Sequence, residues 1–105
     1  MVGIVGKDLD VKSGGEAAYT AALNALALTK KQLGSLDPVS LVVRLGVYVA
    51  ATAEFTEHPK VADAASELPR DVFGDKTVSS RLVFGVASLP LGSPVELEVI
   101  FEVKP

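Results

Sequence analysis

Residues 78–103, VSSRLVFGVASLPLGSPVELEVIFEV, restrict this chain more than any other stretch. Two runs of alternating side chains flank a turn-forming centre, Leu89-Pro90-Leu91-Gly92-Ser93-Pro94. Alternation means strands, because successive side chains point to opposite faces. In the second run Val95, Leu97, Val99, Phe101 and Val103 share one face, and Glu96, Glu98, Ile100 and Glu102 the other. In the first run Leu82, Phe84 and Val86 stand against Arg81, Val83, Gly85 and Ala87. A hairpin with Ser88 opposite Val95 puts Arg81 opposite Glu102 and Ala87 opposite Glu96, and makes one apolar face continuous. The second face then holds an arginine, three glutamates and several apolar residues, a mixture unlike a plain solvated surface.

The upstream residues predict what covers the apolar face. Residues 2–5, with Val2, Ile4 and Val5, suit a brief strand. Ser13 followed by Glu16 reads as a capping box, in which side chains satisfy the free amides of a helix start. Residues 17–28 are rich in strong helix formers, Lys30 and Lys31 suit the last turn, and Gly34 suits the left-handed position beyond it. Ala18, Ala22, Leu26 and Leu33 form the expected inner stripe. Residues 39–50 are rich in β-branched side chains and read as a long strand. Leu41, Val43, Leu45, Val47 and Val49 face the helices there, and Val42, Arg44 and Tyr48 face away, with a bulge expected at Gly46. A second helix is expected over 57–73, with Thr56 as N-cap and Pro59 in its first turn. Pro69 predicts a kink or break near Leu68, at roughly 3 kcal/mol in a regular helix.

Helices alternating with strands predict one α/β (α+β) domain over residues 1–105, a two-layer sandwich with two helices on one face of a mixed sheet. The bare face, expected to carry Arg44, Tyr48, Arg81, Val42, Val83 and Ile100, is too apolar for open water and predicts self-association.

Composition narrows the function classes. The net charge is −3 and no basic block occurs, which argues against nucleic acid as a partner. There is no cysteine and a single histidine, so a thiolate nucleophile and a zinc site are unsupported, and the absence of cysteine fits a cytoplasmic protein. No apolar run is long enough to span a bilayer, and the first residues do not read as a secretory signal. Gly3, Gly6, Gly14 and Gly15 lack the G-K-[ST] of a phosphate loop. Ser79 and Ser80 have no histidine placed for a hydrolase triad, and His58 beside Pro59 reads as a surface or capping residue.

The string GVASLPLGSPVE, with Arg81 seven residues before Ser88 and the glutamate-rich closing strand VELEVIFEV, resembles the reactive-intermediate deaminase family. That family is also called RidA/YjgF or endoribonuclease L-PSP. GKDLDV, AALNALA and FTEHPKVADAASELPRDVFG extend the resemblance over essentially the whole chain. The resemblance implies a chorismate-mutase-like fold, a homotrimer with sheets inward, and ligand pockets between subunits. It implies that Arg81 holds a substrate carboxylate, that Glu96 orients a hydrolytic water, and that Val83 takes the place of a pocket cysteine. The activity implied is hydrolysis of a 2-imino or enamine acid to a 2-keto acid, with no metal or organic cofactor. Most members carry two further strands before the position of Met1, so by this resemblance the chain reads as a short variant without the tyrosine those strands supply.

Simpler readings stand beside these. Arg81 can pair with Glu102 or a neighbouring subunit, and Glu96 can be a solvated strand glutamate. Arg44 and Tyr48 can be packed interface residues rather than pocket residues. A trimeric module that binds a small carboxylate metabolite without turnover is the alternative function.

Overall fold

The computed structural model describes residues 1–74, 78 and 80–105. Helix α1 spans Val11–Leu33 and starts two residues before the expected capping box. Its cap is Asp10, whose carboxylate accepts the Ser13 amide at 2.8 Å. Asp10 thus satisfies an amide that the helix itself cannot. Gly34 ends the helix with φ 84°, the left-handed geometry expected of it. Gly14, Ala18, Ala22 and Leu26 form the buried stripe. A Cβ on Gly14 would lie 3.2 Å from Val5 and Val61, so the missing side chain admits a close approach there. Val5 makes a bridge with Ala51 rather than a strand, yet it is fully buried.

Strand β1, Val39–Ala50, is the centre of the sheet. The register slips twice against its antiparallel partner, between Val39 and Leu41 and between Val42 and Arg44. The expected bulge at Gly46 is therefore displaced to Val43. The slip reverses the phase of the strand. Val42 becomes fully buried opposite Phe101 and Val43 is exposed, the inverse of the alternation expected for this pair. Beyond the slip Leu45, Val47 and Val49 are fully buried, as the apolar pattern requires.

Helix α2, His58–Phe73, follows. Its N-cap residue is Glu57 rather than Thr56, and no side chain caps it. Pro69 lies inside the helix without dividing it. The helix is held instead by its apolar face, with Val61, Ala62, Ala65, Leu68 and Pro69 all buried. The linking residues Asp75, Lys76 and Thr77, and Ser79, lie outside those described.

Strand β2, Arg81–Val86, and strand β3, Val95–Val103, do not form the expected hairpin. The order is β2-β1-β3, with β2 parallel and β3 antiparallel to β1. The residues between them, including a 3-10 turn at Pro90–Gly92, cross the end of β1, where Ala50 donates its amide to the Pro94 carbonyl at 2.9 Å. Long β1 offers β3 a full antiparallel partner, and the β1-α2-β2 unit delivers β2 to the other edge.

The parallel register sets Arg81 beside Leu45 and Val83 beside Val47, on the helix side. The expected bare face therefore loses Arg81, Val83 and Val42. It keeps Arg44, Tyr48 and Ile100 and gains Leu82 and Phe84. The helical layer lies against the opposite face, α1 on β3 and α2 on β1 and β2. Val95, Leu97, Val99 and Phe101 join the core there, as alternation predicted. Among the described residues, two helices on one face of a three-stranded mixed sheet make the two-layer α+β sandwich the sequence implied.

Candidate functional site

Arg81 begins the edge strand β2 and turns its guanidinium towards α2. Nη1 donates to Asp63 Oδ1 at 2.7 Å and to Ser66 Oγ at 3.1 Å. Asp63 and Ser66 are one turn apart on α2, so both reach the same guanidinium. The local backbone fixes where Arg81 starts. The bulge residue Val43 offers its carbonyl to the Ser80 hydroxyl at 3.1 Å, and the Ser80 carbonyl accepts the Leu45 amide at 2.9 Å. Among the described residues no hydrogen bond or ion pair engages Nε or Nη2 of Arg81. The side chain is 31% exposed, and the Nε and Nη2 donors are unspent on the described residues, the pair that a planar anion takes bidentately. Val83, two residues on, packs against the core on the same side.

Glu96 sits on the other face of the sheet. It pairs in register with Tyr48, whose other neighbour is Phe84. The Tyr48 and Phe84 rings stack with centroids 6.0 Å apart. The Tyr48 ring also lies over Gly46, where a Cβ would be 3.4 Å from its edge. Gly46 is thus covered by a ring rather than bulged. Arg44 Nε approaches Glu98 Oε1 at 2.9 Å, an ion pair rather than an aligned hydrogen bond. Glu96 is exposed, with no hydrogen bond or ion pair to the described residues. One chain therefore brings Arg44, Tyr48 and Glu96 to one face and keeps Arg81 and Val83 on the other.

A third region lies at the carboxyl ends of the parallel strands. An open cleft of about 430 Å³ is lined by Thr52, Phe55, His58 and Gly85, among others. Phe55 and His58 meet edge to face at 5.0 Å. The imidazole occupies the space beside Gly85 that any larger residue would need. Among the described residues no three His, Asp or Glu side chains converge as a metal site.

Sequence reasoning missed Asp63 and Ser66. Their spacing marks one face of α2, but only the parallel placement of β2 shows that Arg81 meets that face. His58 also appears on the sequence without its neighbour, because Gly85 is distant along the chain.

A short β-α-β unit closed by an antiparallel strand, with an arginine held at the open sheet edge, defines a small two-layer α+β class. Within that class the chain belongs to the family described as "YjgF/chorismate mutase-like, putative endoribonuclease", whose model matches residues 1–103. It is 39% identical to Protein TCP17 of Trypanosoma cruzi over 105 residues, covering 99% of this chain and 66% of that protein. The chain thus spans just under two thirds of that relative. A protein of unknown function from Agrobacterium tumefaciens superposes with a TM-score of 0.95 at 38% identity, covering 100% of this chain and 68% of its own. A putative endoribonuclease from Shewanella oneidensis superposes with a TM-score of 0.91 at 31% identity, covering 97% and 68% respectively.

Proposed function

We propose that this chain hydrolyses reactive 2-imino or enamine acids to 2-keto acids, in pockets formed between copies of a homotrimer. The observation that carries the reading is the partly exposed Arg81 guanidinium, held at Nη1 by Asp63 and Ser66 with Nε and Nη2 unspent on the described residues. Such an edge takes a carboxylate by two parallel hydrogen bonds. The reaction adds water across the C=N bond of a protonated imine and then expels ammonium, leaving the keto acid. It needs a placed water and modest proton transfer, which a glutamate such as Glu96 can supply. Arg81 and Glu96 lie on opposite faces of one sheet, so a pocket holding both draws them from different copies. The partly apolar face around Tyr48, Phe84 and Ile100 supports such self-association.

Ammonia release from enzymatically generated 2-aminoacrylate tests the proposal. The parent chain accelerates it. Arg81→Ala loses about ten- to a hundredfold in kcat/KM, the equivalent of a charge-assisted hydrogen bond of roughly 1.5–3 kcal/mol. Glu96→Gln lowers kcat with KM little changed. Activity unchanged in Arg81→Ala overturns the assigned anchor. Saturable binding of a keto acid without ammonia release replaces this reading with the non-catalytic binding module. The ribonuclease in the family description is the weaker reading here, since the chain is acidic and its bare face carries Glu96, Glu98 and Glu102.

A further inference from the structure

The outer edge of β3 is unpaired among the described residues. Leu45 gives its amide to Ser80, beside β2, and Ala50 gives its amide to Pro94, beside β3. Beyond the slip at Val43, odd-numbered residues of β1 thus bond towards β2 and even-numbered ones towards β3. Glu96 and Glu98, opposite Tyr48 and Gly46, turn their backbone groups to β1, so Leu97 and Val99 turn theirs outward. No proline or lysine, the usual stops on an open edge, interrupts Val95–Val103. Helix α1 overhangs this edge. Two open clefts of about 410 Å³ each lie between the helix and β3, one reaching Val95 near the start of the strand and the other Phe101 near its end. Ala17, Ala21, Asn24 and Leu28 line them from one flank of α1. A strand laid against Leu97 and Val99 would run beneath that flank from one cleft to the other.

We infer that the outer edge of β3 takes a segment of another protein as a fourth strand, antiparallel to β3, with apolar side chains towards α1 and basic ones on the opposite face. Charge selects this occupant. The face of β3 turned from α1 carries exposed Glu96, Glu98 and Glu102 and no basic side chain, and Arg44 offsets Glu98 alone. A second copy fits poorly. Two-fold antiparallel pairing centred on Leu97, Glu98 or Val99 sets at least one glutamate directly opposite another, which is repulsive. A strand with Lys or Arg opposite Glu96 and Glu102 gains at both positions. Its apolar residues continue the row of Leu97, Val99 and Phe101 under the helix. The edge lies across β1 from Arg81, so it stands whether or not the hydrolysis does.

The probe is a fluorescein-labelled peptide of alternating valine and lysine, matched to the nine residues of β3 and titrated into the full chain by anisotropy. It binds about tenfold more tightly than the same residues in block order, and about tenfold more tightly than alternating valine and glutamate. N-methylation of its valines, whose amides face β3 in an antiparallel pair, abolishes binding. N-methylation of its lysines, whose amides face water, leaves it. The Leu97 and Val99 amides exchange with heavy water about tenfold more slowly once the peptide is bound. Equal binding of the block peptide or of the valine-methylated peptide reveals attraction to an acidic surface alone and overturns the inference. Absence of binding overturns it too. So does exchange at Leu97 and Val99 that slows as the concentration of the free chain rises, which gives the edge to a second copy.

Discussion

The two faces of the sheet use the same three strands and reach opposite ends. On the helix side Leu45, Val47 and Val49 lose all contact with water. On the bare side Phe84 is 47% exposed and Ile100 46%. The difference is not hydrophobicity alone, since both faces carry large apolar side chains. The inner face is uniform, with Val95, Leu97, Val99 and Phe101 continuing the surface of β1. The bare face mixes rings with the Arg44–Glu98 pair, an exposed Glu96, and Glu102, whose Oε1 accepts the Ser40 hydroxyl at 3.0 Å. Uniform apolar surface drives folding, and mixed surface suits association that must remain specific.

Truncating Leu45 to Ala should have the largest effect, a loss of about 2–5 kcal/mol by urea denaturation. The same truncation at Ile100 should cost the isolated chain far less; equal losses would erase the distinction between the faces. Gly85→Ala should cost about 1–3 kcal/mol, because its Cβ enters the space of the His58 ring. His58→Ala in the same chain should recover most of that loss, and additive effects would dissociate the two sites. Phe84→Arg tests the bare face under the proposed trimer. It should lower the mass seen by light scattering to that of one chain, while the far-ultraviolet spectrum stays unchanged. Arg44→Met, which breaks a half-exposed pair and keeps the apolar stem, should shift stability by roughly 1 kcal/mol or less.

The smallest effect concerns Asp10, away from both faces. The Ser13 backbone amide, then its hydroxyl, hold the Asp10 carboxyl below its usual range. A depressed folded value means that the ionised cap contributes above the unfolded value. The contribution fades as pH falls through the folded one. Asp10→Ala should therefore melt a little below the parent at neutral pH, and the two curves should converge in acid below about pH 4.

What the residues disclosed follows from range. Helix and strand periods are local, so α1, β1, α2 and the closing strands stand out in the sequence, as do the inner residues of β3. Strand partnership is not local. Residues 78–103 alternate well enough for a hairpin, yet β1 separates the two strands by pairing with both. That one change moved Arg81 to the helix side and paired it with Asp63. The slip at Val43 was equally hidden, because it depends on how β1 and β3 match along their length. Pro69 stayed helical because burial outweighs a single lost backbone bond.

The central position of β1 has a consequence for how the molecule opens. Its amides and carbonyls engage strands on both sides, whereas among the described residues β2 and β3 each pair with β1 alone. Either outer strand can fray without disturbing the other, but β1 is released only when both have gone. Amide exchange into heavy water should therefore be slowest along residues 45–49, at the rate of global unfolding, and faster in β2. The short parallel edge that presents Arg81 would then breathe on its own clock, while the strand beneath it stays closed.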